Sequence, residues 1–175
     1  MTPEDAAKLA TWREPDEARF TLFVPAFGQA VEFRAYTNVP GQISARGLAT
    51  IRDVVALDAD ALARIKQLIW ENCVLCCEGS SYGFDVPEGQ SETEANFANF
   101  GVHDPQGAYE KCSPPIVSVY EIDHADYAAD YAHITFDNAW ESHLMTVIVR
   151  NGEVVGGGES GVYLGQFEPR PEPGR

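Results

Sequence analysis

The middle of this sequence has almost no positive charge. Between Gly79 and Val149 there is one cationic side chain, Lys111, and there are twelve carboxylates. Over all 175 residues, 12 lysines and arginines are set against 27 acidic residues, which gives a formal charge of −15. Nucleic-acid-binding proteins need a basic footprint, and an anionic membrane repels a surface of this sign. The composition therefore argues against both as partners and favours a basic protein.

Long apolar runs are missing too. No stretch approaches the ~18 residues that a spanning helix needs. The N-terminus has neither the basic start nor the apolar centre of a secretory signal peptide, so we expect a cytoplasmic protein with no membrane partner. The hydrophobic fraction of 45% and the charged fraction of 22% are typical of a globular protein. The length suits one domain with its own core, and we expect a single acidic domain over 1–175.

The motifs of common catalytic centres are absent from the sequence. There is no H-E-x-x-H pair of histidines and no G-x-S-x-G nucleophile. The glycines at 156–158 are not followed by the Lys-Ser/Thr that a phosphate-binding loop requires, and they indicate a turn or bulge in the last strand pair. We predict no cofactor, no metal and no catalytic residue, and expect that the protein is not an enzyme.

The cysteines are the remaining candidates for metal or redox chemistry: Cys73, Cys76, Cys77 and Cys112. The Cys-x-x-Cys spacing falls near the end of a predicted helix, where the helix dipole disfavours a thiolate. A zinc site would need Cys112 together with His103 or His124, and the second close pair of ligands that structural zinc usually has is missing. We favour a packed face of reduced thiols, with a metal site as the alternative.

Hydrophobic periodicity predicts strands and helices in separate blocks. The predicted elements are a helix over 1–10, strands at 20–24 and 30–36, a helix at 45–57, a longer helix from Asp58 or Asp60 to Gly79, and strands at 116–122, 132–138, 144–150 and 153–156. This order indicates an α+β fold, an antiparallel sheet packed against two consecutive helices. The segment 79–115 lacks periodicity and is predicted to be mostly loop. Residues 166–175, with three prolines, are predicted to be a frayed tail.

Acidic and aromatic residues alternate in this loop and after it. Carboxylates attract a basic partner over long distances, and aromatic side chains often anchor an interface. The predicted partner-binding residues are Tyr82, Phe84, Asp85, Glu88, Glu92, Glu94, Asp123, Asp126, Tyr127 and Asp130.

The segment from Tyr131 to Gly158 reads YAHITFDNAWESHLMTVIVRNGEVVGGG. It resembles the C-terminal motif of a bacterial domain family of unknown mechanism: a strand, a Trp-(Asp/Glu)-x-x-His sequence or a close variant, a second strand and an Asn/Asp-Gly turn. Small acidic domains of this kind resemble the immunity proteins encoded beside bacterial polymorphic or contact-dependent toxins. The resemblance implies a protein that neutralises a cognate toxin, and no catalytic residues carry over from it. As structural features, we expect a buried Trp140 and a hydrogen-bonded His143.

Three alternatives are left open. Asp123, His124 and Asp126 have the composition of a metal-assisted hydrolase site or a general-base pair. The aromatic loop is also compatible with a self-interface in a homo-oligomer. A high-salt habitat would produce an acidic chain as well, although the charge would then be spread over all faces. Four cations on the two predicted central helices argue against that: Arg46, Arg52, Arg64 and Lys66.

Overall fold

A sheet of seven strands organises the described part of the chain. The computed structural model describes residues 1–141, 143–159 and 161–168, without the side chain of His124. The strands are β1 (Thr11–Glu14), β2 (Glu17–Val24), β3 (Gln29–Tyr36), β4 (Ile116–Tyr120), β5 (Tyr131–Phe136), β6 (Met145–Arg150) and β7 (Glu153–Glu159), side by side in chain order. Neighbours pair antiparallel except β3 and β4, which pair parallel. The predicted α+β fold is confirmed, and the sheet is mixed.

The parallel pair follows from the long connection between β3 and β4. Parallel neighbours require a crossover, usually a helical one. Here the crossover contains α2 (Ala45–Val55), α3 (Ala59–Gly79), α4 (Glu92–Phe100) and α5 (Pro105–Glu110). Apolar alternation along a strand looks the same in both directions, so the sequence pattern of β4 does not reveal its direction.

The helices α2 and α3 begin at residues whose side chains cap them. The Ser44 hydroxyl accepts a hydrogen bond from the N–H of Gly47 at 3.0 Å, and the Asp58 carboxylate accepts one from the N–H of Ala61 at 2.9 Å. These side chains satisfy N–H groups that have no partner inside the helix. A shorter helix, α1 (Pro3–Lys8), precedes the sheet. Among the described residues, no helix combines the length and apolarity needed to cross a membrane.

The segment 79–115 is more regular than predicted. In α4 a capping box joins Ser91 and Glu94, and α5 begins behind Asp104, whose carboxylate accepts from the N–H of Gly107 at 2.7 Å. The loop prediction is therefore wrong for these two helices. Their caps are visible in the sequence, but helices of nine and six residues are too short to show a periodic apolar stripe.

The main core lies between the helices and one face of the sheet, which we call the helix face. Phe33, Val117 and Ile134 project onto it from successive strands and are fully buried. Trp140 is 2% exposed, and its indole Nε1 donates to Oδ1 of Asn72 in α3 at 2.8 Å. The predicted burial of Trp140 is confirmed. His143 is exposed, so it is not part of the core.

The other face of the sheet, which we call the open face, is covered at one end by the C-terminal segment. Leu164 and Phe167, in a short 3₁₀ helix (Leu164–Phe167), pack with Tyr131 and Ile148 in a second, smaller apolar cluster. The Tyr131 hydroxyl donates to the Glu168 carboxylate at 2.7 Å. The predicted frayed tail is wrong for 166 and 167, which lie in this helix, and from 169 onwards it lies outside the described residues.

The glycines of β7 allow close packing of the C-terminal segment and accompany an irregularity in the pairing with β6. A Cβ at Gly156 would lie 2.5 Å from Cε1 of Phe167, so the missing side chain is what lets the phenyl ring rest on the strand. The register between β6 and β7 shifts between Ile148 and Val149. The predicted bulge in the last strand pair is thereby confirmed, and the three glycines lie within β7 and form no phosphate loop.

Candidate functional site

A concave site on the open face lies where β4 ends. Its volume is about 410 Å³, and it is formed by the β4–β5 connection, β5 itself and the C-terminal segment. We call it the α6 pocket, after the one-turn helix α6 (Asp123–Asp126) on its rim. Its lining residues are Tyr120, Ile122, Asp123, Asp126, Tyr127, His133, Gly161, Val162, Tyr163 and Leu164.

The single turn of α6 places two carboxylates on the same side. Asp123 and Asp126 are three residues apart, a spacing that brings side chains together on a helix. The turn ends at Tyr127, whose N–H donates to the carbonyl oxygen of Asp123 at 2.9 Å. Asp126 is exposed, whereas Asp123 is half-buried and turned towards β5. The pocket therefore has one carboxylate inside and one at the rim.

His133 of β5 forms the base of the pocket. Its Nε2 lies 3.4 Å from Oδ2 of Asp123 and is shielded from solvent, and no described side chain gives it a well-oriented hydrogen bond. The Tyr120 ring meets the imidazole edge-on at 5.1 Å and stacks on Tyr36 at 4.6 Å. Burial, helped by the neighbouring Tyr36, raises the pKa of Tyr120. Its hydroxyl therefore stays protonated at neutral pH, and the base of the pocket is a packed aromatic floor.

A smaller recess of about 200 Å³ continues the pocket across the middle of the open face. It shares Tyr120 and His133 with the α6 pocket. Most of the residues that line only this recess carry hydroxyl groups. Arg34, which also lines it, is ion-paired with Glu32 at 2.6 Å. The lining residues are Arg34, Tyr36, Ile116, Ser118, Tyr120, His133, Thr135, Leu144, Thr146 and Gly161. The two cavities form one polar, aromatic groove along the open face.

Two large apolar side chains stand at the mouth of the α6 pocket. Ile122 is 62% exposed and Tyr163 is 71% exposed, although isoleucine is one of the residue types most often buried and tyrosine is intermediate. Tyr127 lies beside them and packs edge-on against Tyr131 at 5.6 Å. Desolvation raises the pKa of Tyr127, so it too presents a neutral ring. Exposed apolar groups around an acidic hollow are typical of a docking surface.

Of the ten predicted binding residues, three line this pocket: Asp123, Asp126 and Tyr127. Asp130 lies nearby but is ion-paired with Arg46 of α2. The same guanidinium donates to the carbonyl oxygens of Ala128 and Ala129, at 3.1 Å each. Asp130 therefore helps to hold the β4–β5 connection against α2, and its carboxylate is already engaged.

The two aromatic residues of the predicted loop pack against the protein itself. Tyr82 and Phe84 are half-buried, and both meet Phe100 of α4 edge-on, at 4.9 and 5.4 Å. The Tyr82 hydroxyl donates to the carbonyl oxygen of Trp140. In this structure both residues fasten the loop to the helix side.

The predicted loop carboxylates differ in what they contact. The Glu94 carboxylate accepts from the N–H of Ser91 at 2.7 Å in the capping box. The remaining three are exposed: Asp85, Glu88 and Glu92.

The structure does not bring the ten residues together. The loop contacts Trp140 through Tyr82, and Trp140 follows the C-terminal end of β5. The helix α6 precedes the N-terminal end of the same strand. Six extended residues span roughly 20 Å. Tyr82 packs with the helix-face core and Tyr127 with the open-face cluster. The predicted surface therefore divides into two separate regions.

Sequence reasoning missed seven of the ten lining residues, and four of these contribute a large or polar side chain at the base or mouth of the pocket: Tyr120, Ile122, His133 and Tyr163. For His133 a signal was present, because it lies between Ala132 and Ile134, whose alternation turns it away from the core. Tyr163 follows β7 in a stretch without periodicity, so its position depends entirely on how the C-terminal segment folds back.

The cysteines lie on the helix side. Cys73 and Cys77 are buried, and burial raises the pKa of Cys76 to about 11 and that of Cys112 to about 12. Thiols in this state are protonated and unreactive at neutral pH. Among the described side chains, no group of three or more His, Cys, Asp or Glu could hold a metal ion. The side chain of His124 is outside that set, so the predicted hydrolase cluster stays a prediction.

Comparison of the chain with protein families, curated proteins and solved structures found no match.

In chemical terms, the α6 pocket combines carboxylates with neutral aromatic rings. A lysine or arginine side chain gains a charge-assisted hydrogen bond from a carboxylate and a cation–π interaction from a tyrosine face. The pocket is suited to a cationic side chain.

Proposed function

We propose that this chain is an immunity-type binding protein that neutralises a cognate bacterial toxin by docking against a basic surface of it. The observation that supports this most is the α6 pocket, in which Asp123 and Asp126 lie among tyrosine rings. A lysine or arginine of the toxin enters the pocket and pairs with these carboxylates. Tyr120 and Tyr163 supply ring faces for the aliphatic stem and the charge.

The surroundings of the pocket support a protein partner. Ile122 and Tyr163 are exposed at its mouth, and they provide the apolar contact that surrounds a central anchor in protein interfaces. The net charge of −15 attracts a basic partner from a distance and speeds association. A toxin that acts on nucleic acid needs a basic cleft, and an acidic protein docked there excludes the substrate.

The test begins with affinity capture of the tagged protein from its native host at low and high salt, with mass spectrometry of what is retained. We expect a stoichiometric basic protein whose capture weakens with salt. The captured protein then provides the toxin assay and the binding assay. Retention of no protein at either salt would contradict the proposal.

Charge-neutralising variants localise the interaction. We expect Asp123→Asn combined with Asp126→Asn to weaken binding of the captured partner about tenfold or more, because an anchor charge loses its counter-ions. The matched control is Glu88→Gln combined with Glu92→Gln, which removes the same charge from exposed positions in the loop. The control should change the association rate slightly and the dissociation rate not at all. Equal effects of the two pairs would mean that the α6 pocket is not the anchor.

A second candidate function is hydrolysis, predicted with Asp123, His124 and Asp126 as a metal-assisted cluster. The 3.4 Å contact between Asp123 and His133 favours a different pairing, since a carboxylate beside an imidazole orients and stabilises a general base. Metal analysis after gentle purification and a hydrolase screen of the wild type and His133→Ala test this candidate. Stoichiometric metal, or an activity that His133→Ala removes, would support it, and an inactive wild type without metal would eliminate it.

A further inference from the structure

The outer edge of the last strand has no pairing partner among the described residues. Among the described residues, β7 pairs with β6 alone, so its outer edge presents backbone N–H and C=O groups that can pair with another strand. Natural edges are commonly protected by lysine or proline, and β7, with the sequence EVVGGGE, has neither. Its pairing with β6 is regular from Gly156 to Glu159. The glycines leave this half of the edge without side chains that could obstruct an added strand.

An apolar groove of about 190 Å³ runs beside this edge on the helix face. We call it the α3–β7 groove. Its helical wall is one stripe of α3, with residues spaced by three or four positions, and its floor is Met145 with the glycines of β7. The lining residues are Leu68, Glu71, Asn72, Leu75, Met145, Gly157 and Gly158. Leu75 is 70% exposed. A strand added beside β7 would direct every second side chain to the helix face, where the groove lies.

The negative charges around the groove favour a positively charged ligand. Glu71 stands in its wall, Glu78 lies further along the same helix, and Glu153 and Glu159 mark the two ends of β7; all four are exposed. Arg64 pairs with Glu71 at 3.4 Å. A second copy of this chain would bring its own glutamates to this edge, and paired antiparallel with Gly156 opposite Gly156 it would set Glu153 opposite Glu159; like charges facing each other destabilise a strand pair. The charge pattern therefore favours a basic segment over self-association.

We propose that β7 and the α3–β7 groove bind an extended basic peptide segment by strand addition. Backbone hydrogen bonds to β7 hold the segment, an apolar side chain packs on Leu75, and lysine or arginine side chains pair with the glutamates. The groove is on the opposite face of the sheet from the α6 pocket, so this site is independent of the toxin-docking proposal and stands whether or not that proposal holds.

The probe is a displayed library of random dodecapeptides, selected against the full-length protein at low salt. We expect enrichment of sequences in which apolar residues alternate with lysine or arginine. In a labelled sample, the strongest selected peptide should shift the backbone amide resonances of 153–159 and the methyl resonances of Leu75. N-methylation at every second residue of that peptide should abolish binding in one register and spare it in the other, because only alternate N–H groups face β7.

A pair of matched leucines provides the variant and its control. Leu75→Lys places a cation in the groove and should weaken the selected peptide at least about tenfold, or about 1.4 kcal/mol. Leu9→Lys, at a residue that is 71% exposed and distant from β7, should leave the affinity unchanged. The proposal is overturned if the selection enriches no peptide, if Leu75→Lys binds as well as Leu9→Lys, or if sedimentation shows a dimer that Leu75→Lys dissociates.

Discussion

The same strands supply both faces of the sheet, and the two faces differ in composition and burial. On the helix face, Phe33, Val117 and Ile134 are fully buried under α2 and α3. On the open face, their neighbours Arg34, Ser118 and His133 line a polar groove. Along β3, β4 and β5, core residues on the helix face thus alternate with residues on the open face, several of which line the candidate binding groove.

The difference between the two faces shows which side chains can be substituted to alter binding without unfolding the protein. Close packing makes a core sensitive to the loss of even one methylene group, whereas side chains lining an open groove can change with small effects on stability. The C-terminal segment is the exception, because its second cluster joins the open face to the fold. Substitutions on the helix face should therefore change mainly the stability of the protein, and substitutions in the groove of the open face should change mainly the binding of a partner.

The largest expected difference concerns two aromatic residues. Trp140→Ala should lower the free energy of unfolding by about 3–5 kcal/mol, since it leaves a cavity in the helix-face core and removes the hydrogen bond to Asn72. Tyr163→Ala, on the open face, should change it by no more than about 0.5 kcal/mol while weakening partner binding. Chemical denaturation measures the free energy of unfolding of the two variants. Similar losses of stability in Trp140→Ala and Tyr163→Ala would contradict the division between the faces.

A smaller difference is expected between two glycines. Gly156→Ala should cost about 1–3 kcal/mol, because its new methyl group would overlap Phe167 and push the C-terminal segment off the open face. Gly79→Ala is the control; its methyl group would meet no atom within 4 Å, and alanine favours the helix. Thermal unfolding of the two variants compares them. Equal stabilities would show that Phe167 does not depend on contact with Gly156.

The smallest effect is the contribution of a single thiol, Cys76, to a pH dependence that belongs to the helix face. Burial raises the pKa of Cys73, Cys76 and Cys112, so above about pH 8.5 the unfolded chain loses thiol protons that the folded chain keeps. The stability from these thiols is complete below that pH and falls as the pH rises towards the folded pKa values, about 11 for Cys76. Denaturation under reducing conditions at pH 7.5 and 9.5 should show the fall, with a smaller fall in Cys76→Ser. A stability that rises over this interval would contradict the burial.

Much of the fold follows from local sequence signals. The strands predicted at 30–36 and 153–156 and the helices predicted from 45 and from Asp58 all appear where the residues predict them. The two helices in 79–115 were missed because each is too short for its apolar pattern to repeat. The direction of β4 was missed because a strand's residues do not encode which way its neighbour runs.

The candidate site was predicted only in part. Asp123, Asp126 and Tyr127 are close in sequence and reach the same pocket. The other predicted residues were grouped with them on charge and aromatic content, which do not specify distance in space. Tyr82 turned out to pack near Trp140, and Asp130 to pair with Arg46, because partners distant in the chain were available to them.

By itself, the sequence determined the longer helices, most of the strands, the alternation of buried and exposed residues along them and the large negative charge, because these depend on residue type and on spacing over a few positions. The tertiary structure decided which carboxylates share a pocket and which are engaged elsewhere. It also set His133 beside Asp123 and left the edge of β7 unpaired among the described residues. Those outcomes depend on contacts between residues far apart in the chain, and such contacts are fixed only when the whole sheet and its covering segments pack together.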